Sequence, residues 1–167
     1  SEDAKYMKVL EGLLFNERAG LIDLNLNQRQ AVMQAMCGFV PLKDYSLLLI
    51  NAIPRAGQSL DEARQLVYEQ FENLRQGNFE EWMVEAVVND LRLKQKEQLA
   101  SNNGRVEAFV DAFSNEVPWT DYVRELEGLA QLSKDDLVSF AREHLGNNHV
   151  TVYKRQGHDP DVVHLDK

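Results

Sequence analysis

The sequence predicts an α+β domain: an antiparallel sheet of about three strands covered on one face by five or six helices. Three observations predict it. The run Tyr45-Ser-Leu-Leu-Leu-Ile-Asn-Ala-Ile53 is apolar and bounded by Pro41 and Pro54, which marks a strand between two turns. From Ser59 to Leu145, apolar residues recur at helical spacing behind residues suited to capping. Val150-Thr-Val-Tyr-Lys154 then returns to strand-like alternation, so strands bracket a block of helices, as in folds whose helices gather on one side of an antiparallel sheet. With 167 residues, 44% of them hydrophobic, the chain can build one core but hardly two. Residues 1–155 are accordingly read as one α+β domain, and residues 156–167, polar and carrying Pro160, as an exit linker.

Tyr6, Val9, Leu10, Leu13 and Leu14 share one helical face, which predicts an amphipathic opening helix ending near Gly20. Leu21 to Gln30 is ambiguous. Leu24 and Leu26 fit a strand, whereas the Asn and Gln around them fit a short helix or a loop. Ala31 to Val40 reads as a strand running up to Pro41, and Pro41 to Asp44 as the turn before the strand beginning at Tyr45. Leu47 to Ile50 is apolar without alternation, so that strand is expected to be central and buried on both faces.

Ser59 and Glu62 form a capping-box signature for a helix through Leu60, Ala63, Val67, Phe71 and Leu74 that stops at Gly77. Glu80 and Glu81 place negative charge at the start of a long helix carrying Trp82, Met83, Ala86, Val87 and Leu91, which Ser101-Asn-Asn-Gly104 ends. Val106, Phe109, Val110 and Phe113 repeat the helical period, as do Trp119, Tyr122, Val123, Leu126 and Leu129 beyond Pro118. Ser133 with Asp136 caps one more helix, through Leu137 and Phe140 to Gly146, before the last strand.

Composition narrows the functional classes. The 18 Lys and Arg against 27 Asp and Glu give a formal charge of −9, which repels phosphate backbones and argues against nucleic acid as a partner. The longest apolar run falls far below the roughly 18 residues needed to span a bilayer, so no membrane partner is expected. The single Cys37 excludes an internal disulfide and a cysteine zinc cluster; its neighbours Met36 and Phe39 suggest a packed thiol rather than a nucleophile.

The chemistry-bearing residues are mostly accounted for by structure. His144 and His149 flank Gly146-Asn-Asn148 and cannot share one helical face, while His158 and His164 lie in the tail. The acidic pairs Asp61 and Glu62, Glu80 and Glu81, and Asp135 and Asp136 occupy predicted first turns, where negative charge favours the helix dipole. Ser46, Ser59 and Ser101 have no nucleophile-elbow context, and Trp82 and Trp119 fit core or groove packing. Phe140-Ala-Arg-Glu143-His144 imitates H-x-x-E-H, but a phenyl ring stands where the first imidazole would bind zinc.

The order of segments carries a resemblance. Ser59-Leu-Asp-Glu-Ala63 opens a helix ending at Asn73-Leu-Arg-Gln-Gly-Asn-Phe79; Glu80-Glu-Trp-Met-Val-Glu-Ala-Val-Val-Asn-Asp-Leu91 follows; then come Asn102-Asn-Gly-Arg-Val-Glu-Ala108 and the helix from Leu132 to Leu145. Together they resemble a non-catalytic unit, the second, of an insulinase/pitrilysin-family zinc metallopeptidase with a LuxS/MPP-like fold. The family's H-x-x-E-H sits in a first unit and is missing here, so the resemblance implies no catalytic or metal residue in this chain. It implies zinc for the parent protein only, other units of the same polypeptide as partners, and a start upstream of Ser1. It leaves the compartment undetermined, a periplasmic or extracellular parent among the options. The resemblance also implies an extended peptide substrate held against an edge strand, here Ala35, Met36, Cys37, Gly38 and Phe39, because pairing needs only exposed N–H and C=O groups. The alternative is a non-enzymatic interaction scaffold like the family's inactive partner subunits; a third reading, a helical adaptor, would contain little sheet.

Overall fold

The computed structural model describes residues 2–42 and 45–157. Helix α1 (Glu2–Leu14) and a π-helical turn (Asp23–Asn27) precede a hairpin of β1 (Gln34–Pro41) and β2 (Ser46–Ile53). Helices α2 (Leu60–Gln76), α3 (Glu81–Ala100), α4 (Asn102–Ser114) and α5 (Trp119–Arg124) follow, then a 3-10 turn (Gly128–Gln131) and α6 (Lys134–His144). The fold is α+β. Residues 158–167, with His158, His164 and most of the expected exit linker, lie outside the described residues, as do Lys43 and Asp44 of the expected turn.

The hairpin is antiparallel, pairing Ala35 with Ala52, Cys37 with Ile50 and Phe39 with Leu48. Side chains alternate along each strand, so these six share the face toward the helices, where α1 packs on β1 and α2 on β2. Behind them Leu10, Leu13, Leu14, Ile22, Leu74 and Leu137 are fully buried and form the centre of the core. Gly12 sets the approach of α1 to α3: a Cβ there would lie 2.4 Å from Val87 Cγ1.

The start signals at Ser59 and Ser133 operate as expected. The Ser59 side chain accepts from the Glu62 N–H while Glu62 reaches back to the Ser59 N–H, and Ser133 and Asp136 repeat the arrangement. Gly77, at φ 74°, closes α2.

The structure differs from expectation in three respects and settles the one ambiguous stretch. Helix α1 ends at Leu14 rather than near Gly20, because Asn16 Oδ1 accepts from the Arg18 and Ala19 N–H groups and offers the backbone a turn instead. The ambiguous Leu21–Gln30 stretch contains the π-helical turn; buried Asp23 accepts from the Asn16 and Gly20 N–H groups at 2.9 and 3.0 Å and fixes its entry. The strand from Tyr45 is neither central nor doubly buried: Leu47 and Leu49 point away from the helices and are 42% and 55% exposed. The sheet has two strands among the described residues, not about three. His149 to Lys154 joins no ladder, because its alternate polar side chains bind α2: Tyr68 Oη meets His149 Nε2 at 2.7 Å and Thr151 Oγ1 at 3.0 Å, and Tyr153 donates to Asp61 at 2.8 Å.

Candidate peptide-binding edge

The five residues expected at the edge all lie on β1, the strand that pairs with β2 on one side; Met36 and Gly38 turn their backbone groups toward β2. In an antiparallel ladder, residues whose N–H and C=O face the partner strand alternate with residues whose groups face away. Ala35, Cys37 and Phe39 face away, and the structure shows what meets two of them. The Ala35 N–H donates to Asn27 Oδ1 at 2.7 Å, and Asn27 Nδ2 donates to the Ala35 carbonyl at 2.8 Å. The Asn27 carboxamide thus supplies one donor and one acceptor, as a peptide group of a neighbouring strand would. The Phe39 N–H donates to Glu11 Oε1 at 3.0 Å. Between these clamps Cys37 presents its backbone groups to the same side.

The side chains divide by parity. Ala35 and Cys37 are buried toward the helices, Met36 is exposed on the outer face, and Gly38 and Phe39 are half-buried. No heavy atom would lie within 4 Å of a Cβ at Gly38, so the backbone there is open to close approach from the outer face. Burial pushes the Cys37 thiol up to about 12, and the Glu11 charge adds to the shift, so the sulfur is a packed thiol and no nucleophile. Burial also raises the Glu11 carboxyl above its ordinary 4.5, against the Phe39 N–H and the charges of Lys94 and Lys8.

Sequence reasoning missed Asn27 and Glu11. Each acts across the fold, 8 and 28 residues from its partner, and local pattern carries no such information. No local signal distinguishes Glu11, because Lys8 one turn earlier makes it read as one of a charged pair on the helix surface.

The remaining chemistry-bearing residues are engaged structurally. Phe140 stacks on Tyr6 at 4.9 Å and against His144 at 4.1 Å, while Glu143 is exposed, so the motif look-alike presents a ring and not a donor set for zinc. His149 is held by Tyr68. Among the described residues no three His, Cys, Asp or Glu side chains are grouped to hold a metal ion. Trp82 is 56% exposed rather than packed, and Trp119 stacks on Phe109. A cleft of about 360 Å³ between the π-helical turn and α2 is lined by Asn25, Arg29, Glu69, Gln70 and Asn73. Its floor is an amide network in which buried Gln70 accepts from Asn25 and Asn73, a self-satisfied arrangement.

Comparison with known proteins places these features in context. The profile of the family described as peptidase M16 inactive domain matches residues 1–91. The fold matches the crystal structure of a protease from Helicobacter pylori with a TM-score of 0.79 at 17% identity, over 88% of this chain. The chain spans 36% of that protein's length. No curated protein sequence matches.

Proposed function

The chain belongs to the peptidase M16 inactive-domain family, and from this we propose that it serves a zinc metalloendopeptidase as a structural, peptide-binding unit that performs no chemistry itself. Residues 1–155 act as one α+β unit, residues 156–167 lead away as a linker, and its partners are the other units of the same polypeptide and an extended peptide substrate. Zinc and the proteolytic step belong to another unit. The side chains of Phe140, Glu143 and His144 do not fit a metal site, so no step of hydrolysis is assigned to this chain.

The observation that carries the reading is the condition of the β1 edge. The outward N–H and C=O of Ala35 and the N–H of Phe39 are satisfied by side chains, Asn27 and Glu11, rather than by a strand. A side-chain clamp swings away by rotation about its own bonds, whereas a strand must be unzipped. An incoming extended peptide can therefore exchange its own N–H and C=O groups for those of Asn27 and Glu11 at little net loss of hydrogen bonding. Alternate side chains of that peptide would lie beside Met36 and Val40 on the outer face, which favours apolar residues at every second position.

The test is a pair of dye-labelled peptides of one sequence, one with alternate backbone nitrogens methylated, titrated with this chain and followed by anisotropy. Binding by the unmodified peptide and its loss on methylation is expected, because methylation removes the donors of one strand edge. Equal binding of both peptides would exclude strand pairing. If neither binds, the scaffold reading is favoured instead.

A further inference from the structure

Helix α4 has two apolar faces, and its packing uses one. Gly104, Ala108 and Ala112, each four residues from the next, are buried where α4 lies against α3. On the opposite side Val106, Phe109, Val110 and Phe113 recur at i, i+3, i+4 and i+7 and remain 59%, 51%, 59% and 86% exposed. The row continues beyond the helix. Phe109 stacks on Trp119 with ring centroids 4.1 Å apart, and Trp119 on Tyr122 at 5.6 Å, so α5 adds an aromatic shelf to the ridge. Nothing in the folding of α4 requires large residues here, since alanine forms helix better than valine or phenylalanine. A contiguous exposed apolar patch of this kind marks a surface that is covered when the protein works.

Charge selects what covers it. Between Asn102 and Glu127 six carboxylates stand against two arginines; Glu125 is paired with Lys8 at 2.8 Å, and the other five, Glu107, Asp111, Glu116, Asp121 and Glu127, are exposed. Of the two, Arg105 is already committed: Nη1 donates to the Leu99 carbonyl at 2.8 Å and to the Ala100 carbonyl at 3.3 Å, and Nη2 binds Asn102 Oδ1, all at the junction of α3 and α4. A second copy of the chain would bring two acidic rims together on molecules that each carry −9. A ridge at helical spacing over two turns fits the groove of another helix. We propose that the α4–α5 face docks a basic amphipathic helix of another polypeptide segment, its apolar stripe on the ridge from Val106 to Phe113 and its Lys and Arg against the acidic rim.

The probe is a fourteen-residue Leu/Lys peptide with apolar residues at helical period, titrated against the full chain by anisotropy beside a peptide of equal composition in strict alternation. The helical-period peptide should bind at least ten-fold more tightly, and Phe113→Asp should weaken it ten-fold or more. Phe113 is almost wholly exposed, so this variant should fold, and circular dichroism verifies that; Val110→Asp is the second variant and should act in the same direction. Equal affinity for the two peptides, or affinity indifferent to both substitutions, would overturn the assignment. Equal binding of a Leu/Glu peptide of the same period would overturn the charge argument. Self-association in sedimentation velocity that Phe113→Asp abolishes would show that a second copy occupies the face instead.

Discussion

Asn27→Ala removes both hydrogen bonds to Ala35, a residue 1% exposed, and leaves a buried donor and acceptor without their partner. We expect a loss of about 1–3 kcal/mol, read as a lower urea midpoint, with faster exchange of the Ala35 amide. Glu11→Gln isolates charge from geometry, because the amide oxygen can still accept from Phe39. The Glu11 carboxyl is raised in the fold, so its contribution to stability is full below the ordinary carboxylate value and is lost as pH rises through the raised one. As pH rises from the ordinary carboxylate range, the wild-type urea midpoint should therefore fall more than that of Glu11→Gln, and parallel curves would refute the assignment. Gly12→Ala drives a methyl into Val87 at the α1–α3 contact and should cost about 1–3 kcal/mol in a thermal melt. Leu49→Asp is the opposite case. Read as part of an unbroken apolar run, Leu49 is expected to be buried, but its side chain points away from the core, so the change should stay within about 0.5 kcal/mol.

At the scale of elements, the helices were the legible part of the sequence, because their signals are local. Ser59 with Glu62 and Ser133 with Asp136 announce their starts within four residues, and Gly77 announces an end. Strand partners depend on distant chain. Val150 and Val152 alternate with His149, Thr151 and Tyr153 as a strand does, yet the polar members find Tyr68 and Asp61 on α2 and the two valines remain 89% and 87% exposed. The five edge residues were legible as a strand; the two clamps that define the edge were not, for the same reason of distance. Tyr68→Phe should release this segment without unfolding the core: trypsin should cut after Lys154 and Arg155 faster, while the urea midpoint moves by less than about 0.5 kcal/mol.

At the scale of the whole molecule, the helices are gathered on one face of the hairpin and leave its outer face, with Met36, Leu47 and Leu49, exposed. No helix among the described residues is long and apolar enough to cross a membrane. In the proposed role the helical side gives rigidity and the β1 edge gives contact with the peptide, which divides the molecule into a side that should respond to ligand and a side that should not. Amide hydrogen exchange with and without an extended peptide tests that division directly. The account predicts slower exchange along β1 at Ala35, Cys37 and Phe39, whose N–H groups face away from β2, as peptide groups replace the Asn27 and Glu11 clamps, with no change in α2 to α6. Unchanged exchange along β1 under saturating peptide, or protection confined to the helices, would contradict it.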